Sequence, residues 1–145
     1  MTFFNYAAGV LYVNSDDDTS VKLLRDLGFA GVTDAVAAMP DMTGSPGRAE
    51  VSAERYPSID ADLILGTSSD GRIDDLAAVP TFARMPAVQR GAFVPLDVGR
   101  STAMVYPSVL SITYAVEHLT PELARALAAE RRPAPPDQAA PARRS

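Results

Sequence analysis

The chain holds no cysteine and no tryptophan, and only one histidine, His118, and one lysine, Lys22. Without thiols there is neither a disulfide nor a thiolate metal site, although that alone does not fix the compartment. A lone histidine with no thiolates falls short of the ligand set a zinc ion needs. The aspartate run Asp16–Asp18 lacks the Asp-x-Asp-x-Asp-Gly spacing of a calcium loop, and suits the start of a helix better. No G-x-S-x-G elbow, phosphate-binding P-loop or G-x-G-x-x-G turn occurs. No apolar run approaches the roughly 20 residues of a bilayer-spanning helix. The opening Met1-Thr-Phe-Phe-Asn-Tyr6 has no basic segment followed by a continuous apolar one, so it does not read as a secretory signal.

Positive charge is also scarce where a fold is expected. Residues 1–130 carry nine Lys/Arg against seventeen Asp/Glu, a net of −8, whereas the last fifteen residues carry four arginines against Asp137, a net of +3. An acidic body argues against nucleic acid, whose binding rests on clustered cations that release counterions. The segment 131–145, rich in Pro, Ala and Arg without apolar periodicity, is expected to be a disordered tail. Residues 1–130 are long enough to bury one core and are expected to form one domain.

What is present alternates between strand and helix signals. Residues 2–7 and 10–13 read as two strands about the turn Ala8-Gly9. Val21, Leu24 and Leu27, with Leu23, mark a helix that Gly28 ends. Residues 29–38 suggest a short strand and a helical turn, and 40–47 a long loop. Ser52 opens a short helix carrying Glu54; a buried strand then covers 63–65. Helical pieces at 73–77 and 80–87 lead to a strand at 93–96, where Pro95 favours a sheet edge. Pro107 is placed to start a helix with Val109, Ile112, Val116 and Leu119 on its apolar face. Thr120-Pro121-Glu122 is placed to open a last helix to about residue 130. The expected fold is an α/β domain with a mainly parallel sheet and helices on both faces.

Several pieces recur in a known order. Leu23-Leu-Arg-Asp-Leu-Gly28 precedes Val51-Ser-Ala-Glu54, then Asp60-Ala-Asp-Leu-Ile64, Pro80-Thr-Phe82 with Ala87-Val-Gln-Arg-Gly91, Val94–Asp97 and Pro107-Ser108. Over roughly residues 1–128 this resembles the C-terminal lobe of the substrate-binding proteins of ferric-siderophore and cobalamin ABC importers (class III). The resemblance implies a single Rossmann-like lobe of a two-lobed clamp, a binding protein and not an enzyme. It implies a ferric siderophore as ligand, with haem or cobalamin as related possibilities, and no cofactor or resident metal. It also implies an ABC permease as partner and an extracytoplasmic, periplasmic or lipid-anchored, setting for the full-length protein. Nothing in the chain corresponds to the first lobe or its connecting helix, so weak or no ligand binding, and self-association through the open cleft face, are expected of this lobe alone.

In open α/β sheets ligands lie beyond the carboxyl ends of the strands. That rim is expected to comprise residues 14–19, 44–48, 67–69 and 97–106. Arg48 and Arg100 offer bidentate donors and flat faces, Tyr106 an aromatic ring and hydroxyl, and Thr67 and Ser68 hydroxyls. All five are candidate ligand-binding residues; the plain alternative is ordinary surface arginines in loops. The resemblance makes Glu54 the residue that docks the permease, although a carboxylate near a helix start is favoured in any case.

One competing pattern is a response-regulator receiver, echoed by Asp16–Asp18 and Met39-Pro-Asp-Met-Thr-Gly44. The phospho-acceptor aspartate would stand four residues before Pro40, where the chain has Val36, and no later strand ends in lysine. A small α/β interaction domain without catalytic activity is the remaining alternative.

Overall fold

The computed structural model describes residues 1–106 and 108–130; the tail expected at 131–145, and Pro107, lie outside the described residues. Strands β1 (Thr2–Ala7) and β2 (Val10–Asn14) form a hairpin. Ala8 and Gly9 make its two-residue turn with φ of 51° and 83°, the doubly left-handed geometry that matches strand twist. Helix α1 (Thr19–Asp26) is capped by the Asp18 carboxylate, which accepts from the Ser20 amide at 2.8 Å. Helix α2 (Asp34–Ala37) follows, then β3 (Arg48–Val51), a 3₁₀ helix (Ala53–Ile59), β4 (Ile64–Ser68) and a second 3₁₀ helix (Ile73–Ala78). The chain ends in α3 (Pro80–Ala83), α4 (Pro86–Gln89), β5 (Phe93–Leu96), α5 (Val98–Val105) and α6 (Val109–Glu130).

The five strands lie in the order β3-β2-β1-β4-β5. The α/β class is as expected, but the sheet is mixed: β1–β4 and β4–β5 are parallel, β1–β2 and β2–β3 antiparallel. Both edges are blunted. β5 carries Pro95, and β3 is four residues long with Arg48 and Glu50 exposed.

Strand alternation divides the core in two. One face sends Phe4, Tyr6, Leu11, Val13, Val51 and Ile64 against the 3₁₀ helices and α2 to α4, through Val36, Tyr56, Leu76 and Phe82. The other sends Phe3, Leu65, Val94 and Leu96 against α1, α5 and α6, through Val21, Leu24, Met104, Leu119 and Leu123. Helices therefore cover both faces, but α1, α5 and α6 reach only part of the second one.

Five local expectations are corrected. No strand forms in 29–38; the Gly31 carbonyl there accepts from the Met1 amine at 3.0 Å. Strand β3 was not anticipated, although Ala49 and Val51 alternate inward against Arg48 and Glu50. Helix α5 occupies what was expected to be loop. The expected break at Pro121 is absent: α6 runs through it. The buried residues of α6 are Ala115, Leu119, Leu123 and Ala126; Val109 is 84% exposed because the first turn projects where no element packs on it.

Candidate functional site

The uncovered part of the second sheet face is polar. Residues alternate along each strand, so Asn5 shares a face with Phe3, and its register partners Tyr12 and Thr67 carry that face onto β2 and β4. Two residues beyond Tyr12 stands Asn14, paired with Arg48 on β3. Helix α5 forms a wall beside this floor with Val98, Ser101, Thr102 and Val105, ending at Tyr106. Between floor and wall lies an open cleft of about 280 Å³. It draws on each of the four segments expected at the rim. It is not confined to strand ends, however, since Phe3 and Asn5 of β1 form its floor.

Four of the candidate ligand residues come together here. Arg48, Thr67, Ser68 and Tyr106 all line the cleft. Arg48 is exposed and is the only charged residue in the lining among the described residues. Its backbone is held by a tight turn, the Met42 amide donating to its carbonyl at 2.7 Å. Tyr106 is 73% exposed at the end of α5. Thr67 and Ser68 are buried at the end of β4. The Ser68 hydroxyl donates to Asp70 at 2.5 Å and accepts from the Arg72 amide at 3.0 Å, so it also closes the turn after the strand. Asp70 in turn accepts from the Ala8 amide at 3.2 Å, tying the hairpin turn to β4. Those two contacts, the Ser68 hydroxyl first, hold its carboxyl below the ordinary aspartate value.

Arg100 is elsewhere. Its Nε donates to Asp97 at 2.8 Å and its Nη1 to Glu122 at 2.5 Å, with the side chain 18% exposed. Hydrogen bonding to Glu122 is the main reason its pKa is raised. The guanidinium is consumed in bridging α5 to α6, and the residue does not line the cleft.

Glu54 lies away from the cleft, exposed in the first turn of the short helix expected after Ser52, which is a 3₁₀ helix. Ser52 occupies the cap position but makes no side-chain bond to the helix backbone. Backbone hydrogen bonding, followed by the Ser52 hydroxyl, lowers the Glu54 pKa. The aspartate run is occupied locally: Asp18 caps α1, Asp16 accepts from the Val32 amide at 3.0 Å, and Asp17 pairs with Lys22 at 3.7 Å. Among the described residues no cluster of three or more His, Asp or Glu is arranged to hold a metal, and no helix is long and apolar enough to cross a membrane. His118 stacks on Tyr114 one turn earlier in α6, with ring centroids 4.0 Å apart.

Sequence reasoning missed Asn5 and the α5 wall. An asparagine amid Thr2-Phe-Phe4 and Tyr6-Ala7 was a visible signal, since a polar side chain in a central strand must face something polar. For α5, Asp97 followed by a run free of proline was the available sign.

Comparison with solved structures places this architecture. PiaA of Streptococcus pneumoniae in complex with ferrichrome superposes with a TM-score of 0.71 at 22% identity, over 88% of this chain and 43% of that one. The chain has the fold found in iron-siderophore substrate-binding proteins. FhuD2 of Staphylococcus aureus with bound ferrioxamine B matches with a TM-score of 0.67 at 19% identity, over 87% and 47% of the two chains. A periplasmic solute-binding protein of Mycobacterium smegmatis matches with a TM-score of 0.65 at 22% identity, over 87% and 41%. The chain thus spans less than half the length of each of these proteins. No protein-family model matches the sequence, and no curated protein sequence matches it.

Proposed function

We propose that this chain is the C-terminal lobe of a substrate-binding protein that captures ferric siderophores outside the cytoplasm and hands them to an ABC permease. The observation that carries the reading is the cleft itself: an open, mixed polar and apolar surface whose one charged side chain, among the described residues, is Arg48. It stands on a fold shared with structures that hold ferrichrome and ferrioxamine B. Arg48 and Tyr106 grip the ligand from opposite sides, with Thr67 and Ser68 at the base. Arg100 instead fixes α5, and so the wall that presents Tyr106. Glu54 docks the permease, on a surface separate from the ligand.

Half a cleft encloses a ligand from one side only, whereas tight small-molecule sites bury most of the ligand surface. The full site is accordingly completed by a facing lobe. In its absence the apolar residues Tyr106, Val109, Leu110 and Tyr114, all exposed around the α5–α6 junction, favour self-association of the chain. A mass that rises with concentration would reveal it.

Quenching of the five tyrosines provides the binding test, since no tryptophan competes. The chain is titrated with ferrichrome, ferrioxamine B, a ferric tris-catecholate, haemin and cobalamin. Saturable quenching by a ferric siderophore, weakened about tenfold or more by Arg48→Ala, is the expected result. Preference for haemin or cobalamin would redirect the ligand assignment, and quenching by none, with the chain joined to a facing lobe, would leave the non-catalytic interaction domain as the better reading. Glu54→Lys is expected to leave this titration unchanged while abolishing transport in cells.

A further inference from the structure

Beside the cleft, on the adjoining face of α5, lies a second concavity. It is a shallow groove of about 510 Å³ between α5 and the start of α6. Gly99, Ala103 and Ser111 are its small lining residues, and Tyr106, Leu110 and Tyr114 its large ones. Leu110 and its neighbour Val109 are each 84% exposed, Tyr106 73% and Tyr114 40%. Stacking on His118 holds the Tyr114 ring in place. From Ser101 to Val116 the sequence carries no charged residue, within a chain of net charge −5. The polar groups of the turn between the helices are satisfied internally. The Ser111 hydroxyl donates to the Tyr106 carbonyl at 3.0 Å and accepts from the Ser108 amide at 2.7 Å. Covering that turn with apolar surface therefore strands none of these groups.

We propose that this groove docks a second copy of the chain about a two-fold axis, Leu110 of each copy seated between Tyr106 and Tyr114 of the other, and that pairing withdraws Tyr106 from the cleft. Protruding side chains and groove lie on one surface, so the same patch on both copies is satisfied at once, the condition for a closed pair. A whole tyrosine offers about 150–250 Å² and valine or leucine less, so the exposed fractions of these four side chains come to roughly 450–500 Å² per copy. Two copies then bury about 1,000 Å², the lower limit for a specific interface, which makes the pair weak and reversible. A charged partner finds no counter-charge here, whereas two acidic copies meet at this surface without like charges in contact. Thr102 and Tyr106 line both the groove and the cleft, so a Tyr106 ring covered by a second copy is not free to close on a ligand. The pairing stands on the groove alone. Its consequence for the cleft rests on the siderophore reading, in which Tyr106 grips the ligand.

Sedimentation equilibrium tests the pairing, with the chain taken from roughly 1 µM to 1 mM, the span suited to so small an interface. The mass is expected to rise from one chain to two and to stop there. Leu110→Glu sets like charges against each other across the axis and is expected to weaken pairing at least about tenfold. Position 110 is exposed in the first turn of α6, where a carboxylate suits the helix dipole, so circular dichroism and melting temperature should be preserved. Leu27→Glu, at an exposed leucine that ends α1, is expected to leave pairing as it is. Added salt should tighten the pair, because it screens the net repulsion and the groove has no ion pair to weaken. Nitration of the tyrosines, mapped by mass spectrometry, should fall several-fold at Tyr106 and Tyr114 as concentration rises, but not at Tyr12 on β2. A mass of one chain throughout, growth beyond two, weakening by salt, or equal pairing in Leu110→Glu overturns the docking surface. Pairing that leaves nitration of Tyr106 unchanged overturns its withdrawal from the cleft. Failure of ferrichrome to bind would count against the siderophore reading and leave the pairing standing.

Discussion

Gly66 occupies the middle of the central parallel strand, where Phe4 and Phe93 stack across it with ring centroids 6.0 Å apart. A Cβ there would run into Phe4 Cζ and lie 2.9 Å from Phe93 Cε2. Phe82 packs edge-on against both rings, so neither can swing aside freely. Gly66→Ala is therefore expected to destabilise the fold by roughly 1–3 kcal/mol, read as a lower urea midpoint with an unchanged slope. Asp97 shows a different kind of single-residue control. Its carboxylate accepts from the Arg100 amide at 2.8 Å and starts the helix that walls the cleft. That backbone bond is the main reason its pKa lies below the ordinary aspartate value, with the Arg100 guanidinium adding to it. A depressed folded-state pKa means the stabilisation is complete above the ordinary carboxylate range and is lost as pH falls through the lower, folded value. Asp97→Ala is expected to cost about 1 kcal/mol near neutrality. The gap in melting temperature between the two proteins should narrow in acid.

At the scale of elements, α5 and α6 depend on one another. Arg100 reaches Asp97 on its own helix and Glu122 on the next, which fixes the angle between them. The α6 start is secured locally, because Ser108 and Ser111 cap each other: the Ser111 hydroxyl accepts from the Ser108 amide at 2.7 Å, and the Ser108 hydroxyl from the Ser111 amide at 3.2 Å. Arg100→Ala is expected to lower stability by about 1–2 kcal/mol, as loss of hydrogen bonds to charged partners does. Its effect on ligand affinity should be much smaller than that of Arg48→Ala, because only Arg48 faces the cleft. Equal losses of affinity in the two variants would place Arg100 in the site after all. Parallel chemical denaturation and ligand titration of both variants decide the matter. Pro121 inside α6 leaves the Glu117 carbonyl without its helical donor. The helix continues because Leu119, Leu123 and Ala126 are buried on either side of that position, and burial outweighs the missing bond.

For the whole molecule, the mixed sheet leaves one face only partly covered, and the uncovered part is the polar floor of the cleft. A ligand lying there contacts protein on one side alone. Supplying a facing lobe, by joining this chain to the remainder of a two-lobed protein, is expected to tighten siderophore binding by more than about tenfold. Isothermal titration of the joined and separate forms measures this directly. An unchanged affinity would mean that the half-cleft is already the complete site.

Much of the architecture was legible in the sequence. The hairpin at Ala8-Gly9, the helix ended by Gly28 and the edge placement of Pro95 follow from local rules: left-handed turns, apolar periodicity, proline's missing donor. Strand β3 and the true buried stripe of α6 were not legible in the same way. A four-residue Arg-Ala-Glu-Val segment becomes a strand only because β2 offers it an unpaired edge. Val109 is left exposed because, among the described residues, nothing packs over the first turn. The candidate site divides along the same line. Residue types suitable for gripping a ligand were visible at Arg48, Thr67, Ser68, Arg100 and Tyr106. Which of them face one another depends on pairings between residues more than thirty positions apart. The sequence by itself determined most of the elements and the acidic, cysteine-free composition, because these arise from the residues themselves and from interactions within a few positions. Only the tertiary structure decided that Arg100 is spent on Glu122 and that Arg48 stands opposite Asn14, because side-chain partners are chosen by packing across the sheet.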